Sequence, residues 1–173
     1  GVFTAEDGCC WTSGSENRSG ILPILEIWTE GTMNITIHEM DIEDYDQIYQ
    51  LWESSENIGL SKADSRYGIS RFLERNPGMS YLARKGEELV GTVLCGHDGR
   101  RGYIHHLMVH PVHRRQGIGQ SLVSRCMFAL TRIGIQKCHL FVFEDNIDGI
   151  KFWENLGWTK RVELTMMSQI IQE

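Results

Sequence analysis

Apolar and polar positions change period several times along the chain, and each change marks an element. Ile35 and Ile37 alternate with Thr36 and His38, the period of a strand. Asp41 stands where a helix cap is wanted, and Ile42, Tyr45, Ile48, Leu51 and Trp52 follow at the spacing of an amphipathic helix. Ser61 offers a second cap, with Ile69, Phe72 and Leu73 inside that helix and Asn76-Pro77-Gly78 closing it. Three strand-like segments follow: SYLAR, ELVGTVLCG and GYIHHLMVH. The Lys85-Gly86 and Asp98-Gly99 turns between them predict an antiparallel meander. After His113, Ile118, Leu122, Cys126, Met127, Leu130 and Ile133 share one helix face as far as Gly134. KCHLFVF reads as a strand, the stretch containing GIKFWENLG as a short helix, and residues 158–167 as a last strand. The predicted order is β-α-α-β-β-β-α-β-α-β, an α/β (α+β) chain with no internal repeat.

Residues 1–32 interrupt this regularity. They are rich in Gly, Ser, Thr and acids, and only the patch ILPILEIW is apolar. We expect residues 1–32 to be an N-terminal extension, non-native in origin, and residues 33–173 to form one domain beginning at Met33. A length of 173 residues suits one core rather than two. The apolar patch at residues 21–28 is available to a homodimer partner, to its own domain, or to neither.

Charge and cysteine content narrow the class. Five acids against one arginine give the extension -4 of the total charge of -6, so the rest is close to neutral and offers no global attraction for nucleic acid. No apolar run approaches the ~18 to 20 residues of a membrane helix. Cys9, Cys10, Cys95, Cys126 and Cys138 show neither a CxxC nor a Cys/His zinc spacing, and no signal peptide is legible; a reducing cytoplasm is expected.

The candidate chemistry sits in HPVHRRQGIGQSL, residues 110–122. A strand runs into a basic turn and then a helix start, where unsatisfied backbone N–H groups and the helix dipole favour an anion. Gly117 and Gly119 remove side chains that would hold a phosphate away, and Arg114 and Arg115 supply charge. The P-loop is rejected because no Lys-Ser/Thr pair follows the glycines. The dinucleotide fingerprint is rejected because Leu122 stands at its third glycine.

What remains is R-x-x-G-x-G, formed by Arg114, Gly117 and Gly119 after Leu107-Met108-Val109-His110-Pro111. It resembles the coenzyme A loop of the GNAT acetyltransferase superfamily. Asn146, Ile150, Glu154, Leu156 and Gly157 are similar to a second GNAT phrase, N-x-x-A-I-x-x-Y-E-x-L-G-F. The likeness covers about residues 35–165, and its overall wording is similar to that of small bacterial members of the YpeA type. It implies a GNAT-like mixed, mostly antiparallel sheet flanked by helices, and acetyl transfer from acetyl-CoA to an amine with no metal. The resemblance also implies that the strand at 103–110 splays from the one at 138–143. Pantetheine would pair there with Leu107 and Val109, beside Met108. Arg114, Arg115, Gln116, Gly117, Ile118, Gly119 and Gln120 would hold the pyrophosphate, with Asn146 and Ile150 facing the cofactor.

Proton transfer is less plainly written. Many members carry an acid on the strand before the loop; here Tyr103, His105 and His106 occupy it. Alternation puts Tyr103, His105, Leu107 and Val109 on one face and His106 and Met108 on the other. His105, with an ordinary pKa of ~6.5, is the first candidate base and His106 the second. The tyrosine that serves the leaving thiolate in many members is replaced by Trp153, which can donate a hydrogen bond but no proton. Two other classes stay open: a coenzyme A binding module without catalysis, and a regulatory domain binding metal or nucleotide through His105, His106, His110 and His113. Trp52, Tyr67 and Phe72 are candidate linings for an acceptor pocket, and Glu144, Asp145 and Asp148 for attraction of a cationic acceptor. The amine itself is not named by these residues.

Overall fold

The computed structural model describes residues 35–55 and 58–171. The extension, its apolar patch, Met33, Cys9, Cys10 and Asn57 lie outside the described residues. Five strands form one sheet in the order β1 (Ile35–Glu39), β2 (Tyr81–Lys85), β3 (Glu88–His97), β4 (Gly102–Val109) and β5 (Cys138–Leu140). The first four pair antiparallel, and β4 with β5 parallel. The turns at Gly86 and Gly99 have φ of +61° and +90°, a region that costs glycine nothing.

Helices cover both faces. On one lie α1 (Tyr45–Glu53) and α2 (Arg66–Arg75), packing Ile48, Leu51, Trp52 and Ile69 against Leu82, Leu94 and Met108. On the other, α3 (Ile118–Arg132) and α4 (Ile147–Asn155) pack Ile118, Leu122, Cys126, Leu130 and Trp153 against Ala83, Val90, Val93, Cys95 and Ile104.

The two early caps act one turn sooner than the periodicity predicts. Asp41 caps a 3₁₀ turn that leads into α1. Ser61 caps another at Lys62–Asp64, while α2 starts after its own cap, Ser65. At the end of α3, Ile133 is exposed rather than on the buried face. The strand predicted over KCHLFVF is confined to Cys138–Leu140, with Phe141 and Phe143 exposed. Residues 158–167 carry no strand: they have alternation, but a strand exists only where a neighbour accepts its backbone bonds, and here Val162, Leu164 and Met167 stay exposed.

The departure that matters most is in β4. Its register against β3 runs Met108 opposite Thr92, then jumps to His105 opposite Leu94. His106 and Leu107 together face Val93, a β-bulge, and His106 takes φ +46°. An extra residue shifts the phase of alternation. His105 therefore stays beside Phe72 of α2, and His106 turns to the same face, against Trp52 of α1. Leu107 and Val109 fall on the α3 side. The expectation that His105 shares a face with Leu107 and Val109 is corrected by this bulge, whereas His106 lies with Met108 on the face opposite those two, as expected.

Candidate active site

The pairing of β4 with β5 ends at Ile104 opposite Leu140. Beyond it His105 to Val109 continue along β3 but have no β5 partner, so the sheet opens at the residue where the bulge begins. Leu107 and Val109 stand on the α3 side of this opening, whereas Met108 is buried in the α1/α2 core.

At the far end of β4 the chain makes a 3₁₀ turn at Pro111–His113 and enters the glycine loop. Arg115 and Gly117 have φ of +62° and +77°, which folds the loop back on itself, and Gly117 caps α3 without a side-chain bond. Ser121 N–H makes the bond to the Gly117 carbonyl, so the N–H groups before it at the start of α3 are the ones a helix leaves for an outside acceptor. Arg114, Arg115, Gln116 and Gln120 are exposed, and Ile118 is anchored in the core. Arg114 donates from Nε to the Val109 carbonyl at 3.0 Å, tying the loop to the strand and occupying one backbone group expected to serve pantetheine. A Cβ at Gly119 would sit 3.2 Å from Phe152 of α4 and 3.7 Å from Val109.

Across the opening, Asn146 caps α4 by accepting from Gly149 N–H at 2.9 Å, so its oxygen is committed to the helix; Ile150 follows one turn on and is partly buried. Trp153 belongs to the core, with Phe152 and Trp158 edge-on at 5.1 and 5.0 Å.

On the α1/α2 face a cavity of about 210 Å³ is lined by Phe72, Arg75, Asn76, Gly96, Tyr103 and His105, among others. Of the aromatics predicted to line an acceptor pocket, Phe72 does so, Trp52 is wholly buried and Tyr67 is largely exposed. Burial, and then the neighbouring His106, push the His105 pKa below its usual value, with Asp64 opposing them. Among the acids near α4, Glu144 pairs with Lys160 at 3.9 Å and Asp148 lies in the first helical turn.

The four histidines do not converge. His105 and His106 serve the α1/α2 face, while His113 contacts Glu88 at 3.2 Å and lies tilted beside His110 with ring centres 5.8 Å apart. Among the described residues no group of three or more His, Cys, Asp or Glu side chains is arranged for a metal ion. No helix of the described residues is long and apolar enough to cross a membrane.

Asp64 is the residue that sequence reasoning missed. Its Oδ1 lies 2.7 Å from His106 Nε2, and its Oδ2 accepts from Ser61 N–H at 2.8 Å in a capping box. The S-x-x-D pattern from Ser61 to Asp64 announces that box, but nothing in it announces a strand residue 42 positions away.

The family model described as the Acetyltransferase (GNAT) family matches residues 45–158. The chain belongs to the GNAT family. An acetyltransferase of Pectobacterium atrosepticum is 33% identical over 141 residues, covering 82% of this chain and 98% of its own. A solved GNAT family acetyltransferase of Streptococcus pneumoniae shares 25% identity with a TM-score of 0.63, over 80% of this chain and 99% of that one. A Mycobacterium tuberculosis protein solved with CoA shares the fold at 19% identity and a TM-score of 0.59, over 72% of each chain. The GNAT chain is thus an acetyl-CoA-dependent acetyltransferase, and its mixed, mostly antiparallel sheet is the one the family resemblance implied.

Proposed function

We propose that this protein moves the acetyl group of acetyl-CoA to a primary amine by direct attack, with a histidine of β4 taking the amine proton. The observation that carries this reading is a coincidence at one point of the sheet. The strands part after Ile104, the bulge follows at once, and both histidines turn to the face that holds the cavity.

Each side of that point has a task. The free N–H groups at the start of α3, with Arg114 and Arg115, would receive the pyrophosphate. Leu107, Met108 and Val109 would flank pantetheine along the opened edge of β4, with Asn146 and Ile150 on the side of α4. The amine must arrive neutral to attack: a lysine-type amine has a pKa of ~10.4 and an α-amine ~7.7 to 8.0, so an acceptor for its proton gains most with the former. A small molecule, a protein N-terminus and a lysine are all acceptors of this class. We read the compartment as the cytoplasm, and the free thiols of Cys95, Cys126 and Cys138 support it.

The test begins with thermal unfolding against acetyl-CoA, with dephospho-CoA and ATP as controls. At ~100 times its dissociation constant a ligand stabilises by ~2.7 kcal/mol, which appears as several degrees. Arg114→Ala combined with Gly119→Glu should erase that shift in a chain that still folds. CoA release, followed with a thiol reagent over a panel of amines, should then depend on the amine. An unchanged shift in the double variant refutes the loop assignment; CoA release indifferent to amine refutes the acceptor class.

A further inference from the structure

We infer that Asp64 and His106 form a buried dyad in which Asp64 sets the tautomer of His106, so that His106 Nδ1 is the acceptor of the amine proton. This rests on the amine-transfer reading above and says which histidine acts and what positions it.

Asp64 divides its two oxygens between two partners. Oδ2 closes the capping box on Ser61, and Oδ1 meets His106 Nε2. A carboxylate only accepts, so Nε2 must carry the hydrogen and Nδ1 is left with its lone pair. The remaining contacts fix this arrangement from two elements, α1 and β3. The Tyr45 hydroxyl of α1 donates to the Asp64 carbonyl at 2.9 Å and holds the turn. Trp52 of α1 packs on the imidazole with ring centres 4.7 Å apart, and its indole N–H donates to Thr92 Oγ of β3 at 2.9 Å. The Thr92 hydroxyl in turn reaches the His106 carbonyl at 3.5 Å.

The titratable neighbours are Asp64 on the turn, Tyr45 on α1 and His105 on β4. Only the first is a carboxylate bonded to the ring. A proton taken at Nδ1 makes an imidazolium that Asp64 already faces, whereas among the described residues no carboxylate is bonded to His105. The His106 side chain keeps 16% of its surface exposed, and its Nδ1 is not among the buried side-chain atoms left without a partner in the described residues. Its left-handed backbone is an uncommon conformation for a non-glycine residue, and it occurs at the residue that bears this dyad.

The reaction balances without a further reagent. The ammonium loses a proton to Nδ1, its nitrogen bonds to the acetyl carbon, and the carbon–sulfur bond breaks. CoA leaves as a thiolate and takes the second proton that the amide nitrogen sheds, while the first passes from Nδ1 to water. Ammonium and acetyl-CoA give amide, CoA thiol and one proton released to water.

Asp64→Asn discriminates this role from a structural one. The amide oxygen can still accept from Ser61 N–H and keep the capping box, but its NH₂ then faces Nε2 and forces the hydrogen to Nδ1. We expect an unchanged melting temperature, an unchanged KM for acetyl-CoA, a kcat lower by about 10²-fold or more, and loss of the acid limb of the pH–rate profile. Imidazole ¹⁵N spectra of the free protein should show His106 protonated at Nε2 in the wild type and at Nδ1 in the variant. His106→Gln should lose the same limb, and His105→Gln should keep it. Wild-type turnover retained with its pH profile in Asp64→Asn overturns the dyad and leaves amine transfer standing. Wild-type protein that binds acetyl-CoA and releases CoA to no amine overturns both.

Discussion

Gly96 in β3 is where the packing of α2 on the sheet meets the cavity, and adding one methyl group there has a calculable outcome. A Cβ at Gly96 would lie 2.8 Å from Asn76 Cγ, 2.8 Å from Asn76 Nδ2 and 2.8 Å from Phe72 Cζ. Ordinary carbon contacts are ~3.5–4.0 Å, so both neighbours must retreat by roughly 0.7 Å or more. Asn76 has little freedom to do so. It is buried, donates from Nδ2 to the Phe72 carbonyl at 3.0 Å and accepts from His97 N–H at 2.9 Å. Overpacking of this kind costs about 1–3 kcal/mol, and the entropy gained by Gly→Ala in the unfolded chain returns about 0.4–1. The net loss of about 1–2 kcal/mol should lower the melting temperature by roughly 2–8 °C in a chain of this size. Circular dichroism melts of wild type and Gly96→Ala measure this directly. In an Asn76→Ala background the same methyl should cost less, because one of its two obstacles is gone. Turnover assays should show a higher KM for the amine and an unchanged one for acetyl-CoA, since the methyl enters the cavity side alone. A melting temperature equal to or above the wild type refutes the contact at Gly96.

Two further predictions concern side chains proposed for catalysis. His105 has a lowered pKa through burial and then the neighbouring His106, so the folded chain resists a proton that the unfolded chain accepts near pH ~6.5. Stability present above that pH should fall as pH drops below it, by at most ~1.4 kcal/mol per unit for this group. Urea midpoints at pH 7.5 and 5 should show a shallower loss in His105→Gln, and equal slopes would refute the assignment. Trp153 is packed between Phe152 and Trp158 in the core. Trp153→Tyr should lower stability by about 1–3 kcal/mol with kcat no higher than wild type; faster turnover at an unchanged melting temperature would show that a thiolate acid had been missing.

Much of this molecule is legible in its sequence, and the legible parts are local. The glycines at 86 and 99 announce turns because positive φ is cheap only for glycine, and they deliver the β2–β3–β4 meander. The turn from Arg114 to Gly119 is legible because two glycines just before an apolar run of helical period mark a tight entry into a helix, and Gly117 with φ of +77° caps α3. Three things escape. The bulge at His106 depends on two residues of β4 facing Val93 alone, a property of the strand pair and not of either strand. The Asp64–His106 contact joins positions that only tertiary packing brings together. Alternation over 158–167 suggests a strand, but pattern does not supply the neighbour a strand requires.

The bulge has a consequence for inheritance. With His106 left out, the residues of β4 from Gly102 to Val109 alternate without fault: Gly102, Ile104, Leu107 and Val109 toward α3, and Tyr103, His105 and Met108 toward α1 and α2. His106 is thus an insertion that the sheet tolerates, and a descendant gene lacking that single codon would encode a regular strand with the same hydrophobic faces and the same loop. Deleting His106 should therefore remove the dyad while leaving the two hydrophobic faces of β4 and the loop after it in place.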